Sequence, residues 1–360
     1  MILLNPGPVT LSARVRAALV RGDWCHREPE FAKLMQESNA RLAAVYPALA
    51  GFSAATIAAS GTGAVEAMLA AFAPAGGATL VVANGVYGER MARMLAALGR
   101  PHRVLPHDWT APVDVAALDA TLGSDPAITH VAVVQHETTT GRLNDLDAIG
   151  AVCRRRNVTL LLDAVSSFGA ERIEAAEWNL GAVAGTANKC LHGAPGLSFV
   201  LASAELWRRP PAATGSLYLD LRPYHAGQHG DGYSPFTLPV QIAFALSEAL
   251  AEHAEQGGAP ARLALFRSRA ERIAEALTAA GAETLLDPAD CSSVLWSWRL
   301  PQGVTYAALH DALKAEGYVI YAGQGKLGAS IFRIAHMGDI TRAQIDGLCA
   351  ALTRIVGRGA

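Results

Sequence analysis

Between residues 55 and 200, short apolar runs alternate with longer amphipathic stretches. The runs Thr56–Ala59, Leu80–Ala83, Arg103–Leu105, Ile128–Gln135, Thr159–Leu162, Leu180–Ala184 and Leu197–Ala202 are too short for helices and read as strands. In Ile128–Gln135 the polar/apolar alternation is weak, as expected for burial on both faces. Helices are expected from the small-residue turn at Ser60 to about Ala71, from the stretch after Asn84 to about Leu98, over Val113–Leu122 with a cap near Pro112, and over Asp145–Arg156. Repeated strand–helix alternation implies right-handed crossovers and a mostly parallel sheet covered on both sides. Leu197–Ala202 is the candidate antiparallel strand.

Before this block, Asn5–Thr10 (NPGPVT) reads as an extended arm stiffened by proline. Ser12–Leu19 reads as a helix capped by Ser12, and about Phe31–Tyr46 as a second, amphipathic helix. After the block, residues 207–236 read as irregular, with Pro210, Pro211, His225 and His229 among them. Helices are expected at Gln241–Gln256, Pro260–Ala280, Tyr306–Glu316 and Thr341–Val356, the last capped by Thr341. Strands are expected at Val294–Arg299, Val319–Tyr321 and Ser330–Ile334. This divides the chain into an arm (1–14), a large α/β domain (15–250) and a smaller α+β domain (251–360).

Composition narrows the class. Of the 360 residues, 51 % are hydrophobic and 17 % charged, enough for a sizeable core and against disorder. The net charge of −2 has both signs interspersed, which points away from nucleic-acid and membrane surfaces. The start, MILLNPGPVT, lacks a signal-peptide pattern, and no uninterrupted apolar stretch is long enough for a transmembrane helix. The five cysteines are scattered without metal spacing, as expected of reduced thiols in a cytoplasmic protein. His192, His225 and His229 fit no standard metal site, so no metal is expected.

The chemistry concentrates in Thr159–Gly196. Asp163 stands where a buried strand ends, and Lys189 sits in GTANKCLHGAPG among small residues. Alone, such an aspartate is as readily a loop cap, and such a lysine a surface group. Together they suit a cofactor aldehyde, which a lysine amine holds as a Schiff base while a buried carboxylate pairs with a protonated ring nitrogen. The strand–turn–helix at Ser60-Gly61-Thr62-Gly63 has the form of a phosphate cradle, although such turns are also ordinary caps. Arg333 lies inside the apolar strand IFRIA and, if buried, must be paired. The run Asp23–Phe31 places Trp24, Cys25, His26 and Arg27 in a row. His26 and Arg27 are either substrate contacts at a boundary or solvated charges of a helix-entry loop.

The pair DAVSSFG and GTANKCLHGAPG, with NPGPVT and FRIAHMGD near the ends, resembles the class V, fold-type I, pyridoxal phosphate (PLP)-dependent aminotransferases almost throughout. The resemblance implies a mostly parallel seven-stranded sheet with helices on both faces, a small C-terminal domain, and a homodimer. It assigns Lys189 and Asp163 to catalysis, and Ser60, Gly61 and Thr62 to the cofactor phosphate. Tyr87 would stack on the ring. Thr138, Thr139 and Asn188 would lie near the phenolic oxygen, and Thr237 would reach the partner subunit's phosphate. Ser234 departs from the residue usual in the family three positions before Thr237. Arg333, Asn5 and Gly7 fall at the substrate. The triple threonine of ETTTG is similar to the phosphonate branch, implying transfer from 2-aminoethylphosphonate to pyruvate. FRIAHMGD is closer to the alanine– and serine–glyoxylate branch, which is the alternative. A desulfurase of the same fold would need a reactive cysteine near Arg333, and the sequence has none between Cys291 and Cys349.

Overall fold

A computed structural model describes residues 1–210 and 214–357; Pro211 of the expected irregular segment lies outside them. The chain opens with β1 (Ile2–Leu3), α1 (Ala13–Ala18) and α2 (Pro29–Ala43). Then come β2 (Phe52–Ile57), α3 (Gly61–Phe72), β3 (Ala78–Ala83), α4 (Val86–Ala97), β4 (His102–Pro106), α5 (Val115–Ser124) and β5 (Ile128–Val134). A small hairpin, β6 (His136–Glu137) and β7 (Arg142–Leu143), precedes α6 (Leu146–Arg156), β8 (Thr159–Asp163), β9 (Leu180–Thr186) and β10 (Ser198–Ser203). The helices α7 (Ala204–Arg208), α8 (Leu221–His229), α9 (Val240–Glu255) and α10 (Gly258–Ala279) follow. The C-terminal part adds β11 (Leu295–Arg299), α11 (Tyr306–Ala315), β12 (Tyr318–Val319), β13 (Tyr321–Ala322), β14 (Ile331–Ala335) and α12 (Arg342–Val356).

Seven strands form the main sheet, in the order β2-β10-β9-β8-β5-β3-β4. Neighbours from β4 to β9 run parallel. β10 is antiparallel to both β9 and β2, as its sequence suggested. β3, β8 and β9 are buried or nearly so along their whole length, which is why they read as continuous apolar runs. The winding reverses between β3 and β5, so the loops after these strands open a crevice at their carboxyl ends. The helix α4 that follows β3 carries Tyr87 in its first turn, the loop after β5 carries Thr138, and Asp163 ends β8 next to β5.

Four local expectations are corrected. The strand read as Thr56–Ala59 is β2, which starts at Phe52 and ends at Ile57. The α5 cap is Asp114, whose carboxylate accepts from Ala117 N–H at 2.9 Å, not a residue near Pro112. The segment read as irregular contains α8, capped by Asp220. The strand read as Val319–Tyr321 is two strands flanking a buried Ile320: β12 pairs parallel with β1, and β13 pairs antiparallel with β14. The arm therefore starts inside the C-terminal part, where Leu4 joins Trp298, Phe332 and Leu348 in one apolar cluster.

The C-terminal sheet, β11-β14-β13, is tied to the main sheet through Glu171. This carboxylate is 2 % exposed, and its Oε1 accepts from Ser292 Oγ (2.7 Å), Ser293 N–H (2.8 Å) and Ser293 Oγ (2.8 Å). Ser292 N–H also donates to Gly141 O, in the loop that follows β6. Glu171→Ala leaves these donors buried and unpaired, and is expected to cost on the order of 3 kcal/mol in urea unfolding. An unchanged midpoint would show that the joint does not depend on this carboxylate.

Candidate active site

Asp163 is 5 % exposed at the end of β8. One carboxylate oxygen accepts from Val165 N–H at 2.9 Å, and the other takes no hydrogen bond among the described residues. Burial raises its pKa to about 6, against the pull of Val165 N–H, Lys189 and Arg90. Lys189 follows β9, and burial lowers its pKa to about 8, partly offset by Asp163. Its amine donates to the Pro6 carbonyl, so the N-terminal arm closes over it. Gly7 makes this approach possible: its φ is +112°, and a Cβ there would stand 2.7 Å from Lys189 Cδ. Beside it the Asn5 side-chain oxygen is buried without a partner.

The turn into α3 faces the same crevice. Ser60 Oγ accepts from Gly63 N–H at 3.4 Å and caps the helix, while the N–H groups of Gly61 and Thr62 are the first of α3 and find no partner within it. A Cβ at Gly61 would fall 2.3 Å from Val165 Cγ1, so this turn packs directly on the segment after Asp163. Gly61, Thr62, Tyr87, Arg90, Asp163 and Val165 line one small cleft. Arg90 was not singled out from sequence. Its guanidinium lies 4.7 Å from the centre of the Tyr87 ring and donates to Thr62 Oγ1 at 3.1 Å. Its position one helical turn after Tyr87 on α4 was the available signal.

The ETTTG loop is held by a second residue not singled out, Glu137. This buried carboxylate accepts from Thr139 Oγ (2.5 Å), Thr139 N–H (3.2 Å) and Gly88 N–H (3.3 Å), and burial raises its pKa to about 7. Thr139 Oγ also accepts from Val86 N–H at 3.1 Å, fixing the start of α4 and hence Tyr87. The Thr139 hydroxyl is thereby committed, whereas that of Thr138 has no hydrogen bond among the described residues. Asn188 turns its oxygen to Thr186 Oγ (2.9 Å), which leaves its amide N–H groups for other partners. His136 is buried with Nε2 unpaired, and burial, aided by Lys189, pushes its pKa down to about 3, so it is neutral.

Arg333 is fully buried on β14. Nε donates to Ala322 O (2.7 Å), and Nη1 donates to Thr138 O (2.7 Å) and Gln324 Oε1 (3.4 Å), while Nη2 has no partner. No carboxylate pairs with it among the described residues, and the Tyr321 ring lies 5.2 Å from Cζ. A buried cation with one donor free and no counter-charge is an anchor for an anion. Thr237 is exposed, and its hydroxyl meets His26 rather than the residues around Lys189. Ser234 is buried and its hydroxyl accepts from Gln228 at 2.8 Å.

This sheet, with a desolvated lysine and a carboxylate at its strand ends, defines a PLP-dependent aminotransferase of fold type I. The class-V aminotransferase family model matches residues 13–345, and the chain belongs to that family. It is 33 % identical over 98 % of its length to a 2-aminoethylphosphonate–pyruvate transaminase of Pseudomonas putida (strain GB-1), covering 95 % of that protein. It is 36 % identical, with the same coverages, to one from Burkholderia thailandensis. Among solved structures, an alanine–glyoxylate aminotransferase from Nostoc sp. superposes with a TM-score of 0.89 at 26 % identity, over 99 % of this chain and 95 % of that one.

The lowered pKa of Lys189 gives a direct test. Its amine is protonated below about pH 8 and free above it, whereas an ordinary lysine stays protonated to about 10.5. Carbamylation of Lys189 by cyanate, followed by peptide mass spectrometry against pH, is expected to show a midpoint near 8. A midpoint near 10.5 would remove the desolvated amine from the account.

Proposed function

We propose that the chain transfers the amino group of 2-aminoethylphosphonate to pyruvate, giving phosphonoacetaldehyde and L-alanine. The observation that carries the reading is Arg333, a buried guanidinium with one nitrogen free and no carboxylate paired with it among the described residues. Its planar fork suits a phosphonate or carboxylate, and the relatives named above act on the phosphonate by name.

The residues present fit PLP. Asp163 has an oxygen free for a protonated ring nitrogen, and the turn at Ser60, Gly61 and Thr62 presents unpaired N–H groups at a helix N-terminus, where the dipole favours a phosphate. Tyr87 offers a ring face for stacking. The free Thr138 hydroxyl and the Asn188 amide would hold the phenolic oxygen, while Thr139 holds the loop. PLP, when bound, supplies an electron-withdrawing ring that stabilises negative charge at the substrate carbon bearing nitrogen. Lys189 would take a proton from the substrate carbon that bears nitrogen and hold it on Nζ, a role suited to an amine whose pKa is near 8. Arg333 orients the acid group, and Asn5 and Gly7 close the arm over the reacting end.

The same reading makes the protein a cytoplasmic homodimer in which Thr237 of a second copy completes the phosphate site. Its exposure in the single chain supports this. We divide the chain into arm 1–14, large domain 15–250 and small domain 251–360; the apolar cluster from Ala270 onward supports the small domain, Leu4 of the arm joins that cluster, and α9 runs unbroken through residue 250.

Titration of the PLP-loaded protein tests the substrate. 2-Aminoethylphosphonate is expected to bleach the visible band, and pyruvate to restore it. Bleaching by L-alanine or L-serine reversed by glyoxylate, with no response to the phosphonate, would instead place the chain in the glyoxylate branch. Arg333→Lys keeps a charge but loses the fork, and is expected to raise KM for the phosphonate at least about tenfold. An unchanged KM would free Arg333 from the substrate role.

A further inference from the structure

The segment Arg21–Arg27 is exposed apart from the half-buried His26, yet its side chains reach back to the start of α9 and the stretch before it. Asp23 Oδ1 accepts from Gln241 Nε2 at 3.3 Å, on the first turn of α9. The Trp24 ring meets Phe244 edge-on at 4.9 Å, and the Arg21 guanidinium lies 5.5 Å from the centre of the Phe244 ring. Arg27 donates through Nη1 to Ser234 O at 2.7 Å and through Nη2 to Pro235 O at 3.3 Å. His26 Nε2 stands 3.3 Å from Thr237 Oγ1. Contacts from five residues, Arg21, Asp23, Trp24, His26 and Arg27, thus fall on one target, the segment Ser234–Phe244 that presents Thr237.

The other side of that segment is also fixed. Gln228 donates to Ser234 Oγ (2.8 Å) and Thr56 O (2.7 Å), and accepts from Thr56 N–H and Asn39 Nδ2 (both 2.9 Å). All four hydrogen-bonding positions of this buried amide are filled, so Ser234 is locked to β2. Next along the segment, the Phe236 ring packs on Tyr218 and Tyr224 at 5.3 and 5.8 Å, and among the described residues Arg27 and His26 are the side chains that meet the Ser234 and Pro235 carbonyls and the Thr237 hydroxyl.

We propose that Arg27 and His26 are positioning residues that aim the Thr237 hydroxyl at the cofactor phosphate. The inference rests on the reading of Thr237 as a phosphate contact across the dimer. A threonine hydroxyl has one proton to donate. If Thr237 gave it to His26, none would remain for a phosphate. With the proton on Nε2, His26 donates to Thr237 Oγ, and the threonine proton is left pointing outward. Arg27 sets the carbonyls of Ser234 and Pro235, and with them the direction of the next two residues. The planar guanidinium reaches both carbonyls at once, which a lysine ammonium does less well.

The test compares PLP with pyridoxal, which lacks the phosphate, as ligands of the apoprotein, followed by visible absorbance. Thr237→Ala, Arg27→Gln and His26→Ala are each expected to weaken PLP roughly fivefold or more while leaving pyridoxal within about twofold, the size of one lost hydrogen bond. His26→Gln keeps a donor at the same place and is expected to restore most of the affinity for PLP. His26→Ala combined with Thr237→Ala is expected to lose no more than Thr237→Ala alone. Equal weakening of PLP and pyridoxal by Arg27→Gln and His26→Ala would show a general structural role and overturn the proposal. So would a selective loss in Thr237→Ala that neither of the other two variants shares. A Thr237→Ala protein that binds PLP as tightly as before would overturn the phosphate role of Thr237 itself, and the positioning role with it.

Discussion

Keeping one lysine amine out of water is the constraint on which the rest of the site depends. A shift of the Lys189 pKa from 10.5 to about 8 corresponds to about 3 kcal/mol of preference for the neutral form. That preference is built from distant parts of the chain. The arm covers the amine with Pro6 and the bare backbone of Gly7, while Asp163, brought by β8, partly offsets the shift. Small residues around Lys189 let these pieces approach: Ala187 and Cys190 are fully buried beside it. The arm is itself anchored at its other end, because Leu3 and Leu4 belong to the C-terminal strands and core. The cover over the lysine is therefore held by the domain that also carries Arg333.

Much of this arrangement was legible in the sequence because it is local. Strand-length apolar runs, the hydroxyl caps at Ser12 and Thr341, and the lysine set among small residues all show within a window of a few positions. The antiparallel β10 was legible because it follows β9 after a short link, too short for a crossover helix. What escaped depends on contacts far apart in the chain. The helix α8 is short and carries a proline, a glycine and two histidines. Its stability comes from tertiary partners: Gln228 bridges to Asn39 and Thr56, and His225 stacks on Trp207 at 3.9 Å. Glu137 reads as one acidic residue in a polar loop until the fold buries it under the start of α4. Arg90 reads as a surface helix residue until Thr62 and Tyr87 meet it.

The ETTTG loop explains why the two halves of the site act together. Its Glu137 fixes the start of α4 and the Tyr87 ring, its Thr138 carbonyl accepts from Arg333, and its Gly141 carbonyl accepts from Ser292 of the C-terminal part. One short loop thus joins the start of α4 ahead of Tyr87, the Arg333 guanidinium and the C-terminal part. A shift of the C-terminal sheet would move Arg333 and this loop as a unit rather than change the anchor alone.

Electrostatics then link substrate to proton transfer. Arg333 contributes to the lowering of the Lys189 pKa, and its own charge is left without a carboxylate among the described residues. An anion placed on Nη2 would neutralise that charge and remove one of the forces lowering the Lys189 pKa. The remaining force, desolvation, is the larger, and an arm closed over the site strengthens it. Binding of the acid group and closure of the arm therefore push the lysine in opposite directions. The balance keeps its pKa near neutrality, where one amine can both take up and release a proton.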